Sequence, residues 1–124
     1  MMNTDRQGYI LRWVKETFGT KALNSKERAA RLVEEALEMG QACGLSVHEV
    51  DAIGNRVYQR PTGQYAQEIG SVQITLEALA EHLGYQVDQC ADEELYRLLQ
   101  LPPGYFQKTD AEKRRAGILF YPPD

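Results

Sequence analysis

A chain of 124 residues is of single-domain size, long enough to bury roughly two-thirds of its unfolded surface. A hydrophobic share of 43% and a charged share of 26% suit a globular fold. The net charge of −4 argues against nucleic acid or an anionic membrane as partner, so any anionic substrate must be met by a metal or a few local basic residues.

The two cysteines, Cys43 and Cys90, have neither metal nor redox spacing, and "MMNTDRQGYILRW" holds no long apolar run. The expectation is a reduced, cytoplasmic protein without signal peptide or membrane span. Taken in chain order, the elements are helical. "TDRQGYILRWVKETFG" opens with a Thr4-x-x-Gln7 capping box and stops at Gly19. Asn24 or Ser25 caps a second helix that runs through Glu38 to about Gly44, and Ser46-x-x-Glu49 opens a third, "VHEVDAIGNRVYQ", that must end before Pro61. After the turn "RPTG", a long fourth helix spans about Gln64 to Gly84. A shorter one covers "DEELYRLLQ" and stops at "PPG", Thr109-x-x-Glu112 starts a final turn or two, and "FYPPD" reads as a loose or partner-dependent tail. No alternating strand pattern competes. The predicted fold is all-α, a four-to-five-helix bundle in a single domain, 1–124, with a short C-terminal tail from about 105.

The second helix carries "RLVEEALEMG", with Glu34, Glu35 and Glu38 inside two turns. Like charges at this spacing repel by a few tenths of a kcal/mol per pair. Ala29, Val33, Ala36, Gly40 and Cys43 form the apolar stripe, and Glu38 falls almost opposite it. Alone, that pattern describes a solvated acidic face. On the fourth helix the stripe is Tyr65, Ile69, Val72, Leu76, Leu79 and Leu83, and Glu68, Ser71, Thr75 and His82 make a polar ridge along its border. Glu68 is therefore expected beside the core, where a carboxylate needs a partner. If Glu35 and Glu38 lie on the neighbouring helix, a divalent cation would relieve the repulsion.

"EExxE" followed by "EIGSVQITLEAL" resembles the MazG-like all-α nucleoside triphosphate pyrophosphohydrolases, over roughly residues 5 to 100. Their ExxE pattern maps onto Glu35 and Glu38, and the start of their ExxD onto Glu68. The resemblance implies a helical bundle that assembles as a homo-oligomer, dimer or tetramer, and binds Mg²⁺ or Mn²⁺ through its acids, here Glu34, Glu35, Glu38 and Glu68. It also implies hydrolysis of a nucleoside triphosphate to the monophosphate and pyrophosphate. "YQRPTGQYAQEIGSV" is closer to the family's phage branch, the MazZ-type enzymes acting on dGTP and GTP. One position departs: Ser71 stands where the motif has its final aspartate, so Glu34, Glu49 or Asp51 must substitute or a metal position is weakened.

For the chemistry, Glu35 or Glu34 is the expected proton acceptor. "KTDAEKRR" offers Lys108, Lys113, Arg114 and Arg115 to a leaving pyrophosphate, in this chain's site or a neighbouring subunit's; its plain alternative is a solvated basic turn. Trp13 and Tyr9 share a helix face and could stack on a base, though such pairs are more often core. His48 and His82 lack paired spacing, and there is no phosphate loop. The competing readings are a non-catalytic nucleotide-binding or regulatory bundle, which Ser71 favours, and a plain helical interaction protein.

Overall fold

A computed structural model describes residues 3–123, with side chains from Asp5 onward. The described residues form six α-helices and no strand: α1 (Asn3–Phe18), α2 (Ser25–Ala42), α3 (Val47–Tyr58), α4 (Tyr65–Leu83), α5 (Val87–Leu99) and α6 (Tyr105–Arg115), with a 3-10 turn at Thr20–Ala22. The all-α expectation holds, because each of the first four segments has both a helical period and a stop.

The stops are local chemistry. Asn24 caps α2 by accepting from the Glu27 N–H at 2.9 Å. Ser46 and Glu49 open α3 with a reciprocal box, Ser46 N–H to Glu49 Oε1 at 2.9 Å and Glu49 N–H to Ser46 Oγ at 3.1 Å. Hydrogen bonds to that carboxyl from the Ser46 backbone N–H, and then from the Ser46 side chain, hold Glu49 below its ordinary value. The predicted Thr4 box lies outside the described side chains. At the end of α4, Gly84 turns left-handed at φ 86°, and Tyr85 N–H reaches back to Ala80 O at 2.9 Å. A side chain there would be strained, so glycine is the residue that lets the helix stop.

Two elements depart from expectation. α5 begins at Val87, five residues before the expected Asp92, with an uncapped, extended Gln86 ahead of it. α6 is a full helix from Tyr105 rather than a turn or two from Thr109. Thr109 caps nothing; inside the helix its hydroxyl donates to Phe106 O at 3.1 Å. The helix starts early because Phe106 packs edge-on against Trp13 (5.4 Å) and Phe18 (5.3 Å), contacts from distant sequence that no local signal contains.

The chain, expected as one domain, sorts into two compact units: Val57–Leu101 on one side, and residues up to Arg56 together with Pro102 onward on the other. The second holds α1, α2, most of α3 and α6, with Val14, Ala22 and the charged Glu27 buried. The first holds α4 packed on α5, with Leu95 buried. The stripes expected to be core are open in both. On α2, Ala29, Val33, Ala36 and Cys43 are exposed; on α4, Tyr65, Ile69, Val72, Leu76 and Leu83 are exposed, Ile69 at 70%. Their helical spacing is as expected. No helix among the described residues is long and apolar enough to cross a membrane.

Candidate functional site

The acids of α2 divide by position along one helix. Glu34, Glu35 and Glu38 lie in its second half, where the turns between Arg31 and Met39 carry them to one side. Glu35 and Glu38 are exposed, and Glu38 lies near enough to act on Glu35 both through its charge and through a side-chain hydrogen bond. Partial burial, then the Glu38 charge and that hydrogen bond, then Glu34, raise the Glu35 carboxyl above its ordinary value, while Lys113 pulls it down. Mutual repulsion is thus present, as the spacing predicts.

Charge compensation reaches only one edge of this group. Lys113 Nζ sits 3.4 Å from Glu34 Oε1, and Arg31 Nη1 is 3.7 Å from the same oxygen. The basic run of α6 therefore comes back onto the acidic face of its own chain, where the sequence had allowed a neighbouring subunit's site. Lys108 is exposed on the same helix, and Arg114 lies near the Tyr121 ring, donating to Tyr121 O at 2.9 Å.

Glu68 belongs to the other unit, near the start of α4, and is exposed rather than bordering a core. Its side chain folds back over the turn before the helix: a Cβ placed on Gly63 would stand 3.1 Å from the Glu68 carboxyl carbon. Ser71 is exposed on α4, and Ser71 O accepts from the Thr75 hydroxyl at 3.0 Å. Of the acids named as substitutes for the motif's aspartate, Glu49 is engaged in the α3 cap and Glu34 in ion pairs; Asp51 is exposed. Trp13 is half-buried in the cluster with Phe18 and Phe106, while Tyr9 faces the Arg12 guanidinium at 5.9 Å.

These residues can be tested against a divalent cation. Hard oxygen donors suit Mg²⁺ or Mn²⁺, and neighbouring carboxylates that repel one another are eased by a cation. Among the described residues, however, no group of three or more His, Cys, Asp or Glu side chains is arranged to hold a metal ion. The α2 acids supply a pair and a third member already claimed by two cations. The donor set is incomplete as it stands.

Sequence reasoning missed the other end of α2. Glu27 is 1% exposed, and its Oε1 accepts from Phe120 N–H at 2.9 Å. Its Oε2 contacts Arg28 Nη2 at 3.3 Å and Arg31 Nε at 3.4 Å. Asn24, besides capping the helix, donates from Nδ2 to Phe120 O at 3.1 Å. Arg31 Nη2 donates to Ile118 O, the Tyr121 hydroxyl donates to Asp110, and Lys26 stands 4.7 Å over the Phe120 ring. "FYPPD" was expected to be loose; Phe120 and Tyr121 are instead pinned. The available signal was Asn24-x-x-Glu27, a capping spacing whose glutamate finds a backbone N–H from 93 residues away in place of its own N-cap.

Compared with family models, with curated proteins and with solved structures, the chain matches none.

Proposed function

We propose that this chain is a metal-dependent nucleoside triphosphate pyrophosphohydrolase, cleaving a (deoxy)nucleoside triphosphate such as dGTP or GTP to the monophosphate and pyrophosphate. The observation that carries the reading is the Glu35–Glu38 pair, two carboxylates in contact with the Glu35 carboxyl raised. A raised carboxyl is a stronger base than an ordinary one, which suits it to take a proton from water. In the reaction, a water oxygen bonds to the α-phosphorus, the bond from that phosphorus to the bridging oxygen breaks, and pyrophosphate leaves with the electron pair. Glu35 accepts the water's proton. Mg²⁺ or Mn²⁺, when bound, would neutralise the triphosphate and acidify the water.

Lys113, at the edge of the acids, and Lys108 and Arg114 on the same helix are the cations we assign to the leaving pyrophosphate. Base contact is assigned to Trp13, through the part of its half-buried ring that stays open. Glu68 joins the metal set, with Glu34, Glu35 and Glu38, on the family resemblance alone. A homo-oligomer, dimer or tetramer, is supported by the apolar faces of α2 and α4: exposed patches beyond a few hundred Å² usually mark interfaces.

A second reading is a non-catalytic nucleotide-binding or regulatory bundle. Ser71 in the aspartate position favours it, as does the incomplete donor set. The deciding experiment is pyrophosphate release from a panel of ribo- and deoxyribonucleoside triphosphates with Mn²⁺, beside the melting temperature with and without the metal. Release from one or more substrates supports the enzyme. A nucleotide-induced rise in melting temperature without release supports the binding bundle, and no response to metal or nucleotide ends both.

A further inference from the structure

The tail and the acidic face are wired together through two cations. Arg31 spans them: Nη2 donates to Ile118 O, while Nε and Nη1 sit buried at 3.4 Å from Glu27 and 3.7 Å from Glu34 with no hydrogen bond of their own. The guanidinium is thus oriented by the tail carbonyl, and its placement beside Glu34 follows from that bond. Lys113 is linked more directly still. Past α6, Gly117 turns left-handed at φ 76°, its N–H bonds Arg114 O at 3.1 Å, and Ile118 N–H bonds Lys113 O at 3.0 Å. This closed turn ties the first tail residue to the backbone of the lysine that reaches Glu34. Beyond it, Phe120 is gripped on both backbone groups, N–H by buried Glu27 and C=O by Asn24, and Tyr121 is held by Asp110 and Arg114.

We propose that Ile118–Tyr121 is a latch that sets the charge balance on the acidic face of α2. Seated, it holds Arg31 and Lys113 against Glu34; released, it withdraws both and leaves Glu34, Glu35 and Glu38 uncompensated. The buried Glu27 is the catch. Its carboxylate, desolvated on all sides, is satisfied by the Phe120 N–H and by two arginines, and it loses a donor when the tail lifts. Release therefore has two coupled costs, an under-satisfied buried acid at one end of α2 and unshielded like charges at the other. This inference concerns the face that the proposed hydrolase would use, but it needs no metal and no substrate.

The test uses the full chain and the reactivity of its lysines. A free amine acylates faster than one held in an ion pair, so each lysine is scored by mass spectrometry after brief exposure to an N-hydroxysuccinimide ester. In the unsubstituted protein Lys113 should react more slowly than exposed Lys108, and the Phe120 amide should be protected from hydrogen exchange. Phe120→Pro removes the N–H that Glu27 accepts, and Tyr121→Phe removes the hydroxyl that Asp110 accepts. With helical content retained, Phe120→Pro should raise the Lys113 rate about fivefold, near the upper end for a partly exposed ion pair, and Tyr121→Phe should raise it less, with Lys108 unchanged in both. A Phe120 amide that exchanges like a free peptide overturns the latch. So does a Lys113 rate unchanged in Phe120→Pro. If that variant loses its helices, Tyr121→Phe decides: faster exchange at Phe120 with faster acylation of Lys113 supports the proposal, and faster exchange alone overturns it.

Discussion

The two ends of α2 hold glutamates that the sequence does not distinguish and that the fold treats in opposite ways. Glu27 is buried to 1% and satisfied by a backbone N–H and two guanidinium groups. Glu35 stays exposed, with desolvation and then the carboxylates of Glu38 and Glu34 raising its carboxyl and Lys113 lowering it. A buried acid paired with nearby cations is a fastener, since its charge is already offset and has no chemistry to offer. An acid pair in contact at the surface is the opposite case, costly to keep and able to bind a cation or take a proton. Burial and partners, rather than clustering in sequence, separate structure from candidate site on this helix.

The contrast breaks most decisively at the buried end. Glu27→Ala leaves Arg28 and the Phe120 N–H without their acceptor and Arg31 without an ion-pair partner, and the expected loss is about 3 kcal/mol, read from denaturant midpoints. A loss under about 0.5 kcal/mol, the ordinary surface value, would show that the two ends do not differ. Asn24→Ala comes next. It removes the N-cap and one grip on the tail, with an expected cost of about 1 kcal/mol in the same assay.

At the exposed end the expected changes are small in stability and large in function. Glu38→Gln should change metal-free stability by no more than about 0.5 kcal/mol, neutral or favourable, because it removes a repelling charge. On the proposed function it should also abolish pyrophosphate release. Activity retained with an unaltered response to Mn²⁺ would make the acids of "RLVEEALEMG" a solvated face.

The pair also carries a pH signature. The folded-state carboxyl of Glu35 lies above its ordinary value of 4.5, so the folded protein binds this proton more tightly than the unfolded chain does. The contribution to stability is full below 4.5 and is lost as pH rises through the raised folded value. Acidifying from neutrality toward 4.5 should therefore favour folding at this site, and Glu38→Gln should flatten that dependence in a series of melts across the window. The smallest expected effect is Ser71→Asp: titration calorimetry should show tighter Mg²⁺ binding if the motif's missing acid is a ligand, and unchanged binding if it is not.

Much of the fold could be read locally. The caps at Asn24 and Ser46, the stops at Gly19, Gly44 and Gly84, and the helical spacing of apolar residues place α1 to α4 within a residue or two, because each signal acts over a single turn of backbone. The repulsion among Glu34, Glu35 and Glu38 was equally local, a consequence of i,i+3 and i,i+4 geometry that any helix there would impose. Tertiary structure alone decided the rest. α6 starts at Tyr105 because Phe106 finds Trp13 and Phe18, and Phe120 is anchored because Glu27, 93 residues earlier, is buried with one oxygen facing its N–H. Lys113 meets Glu34 for the same reason. Such pairings depend on which distant surfaces are brought together, and a periodicity of 3.6 residues contains no term for that.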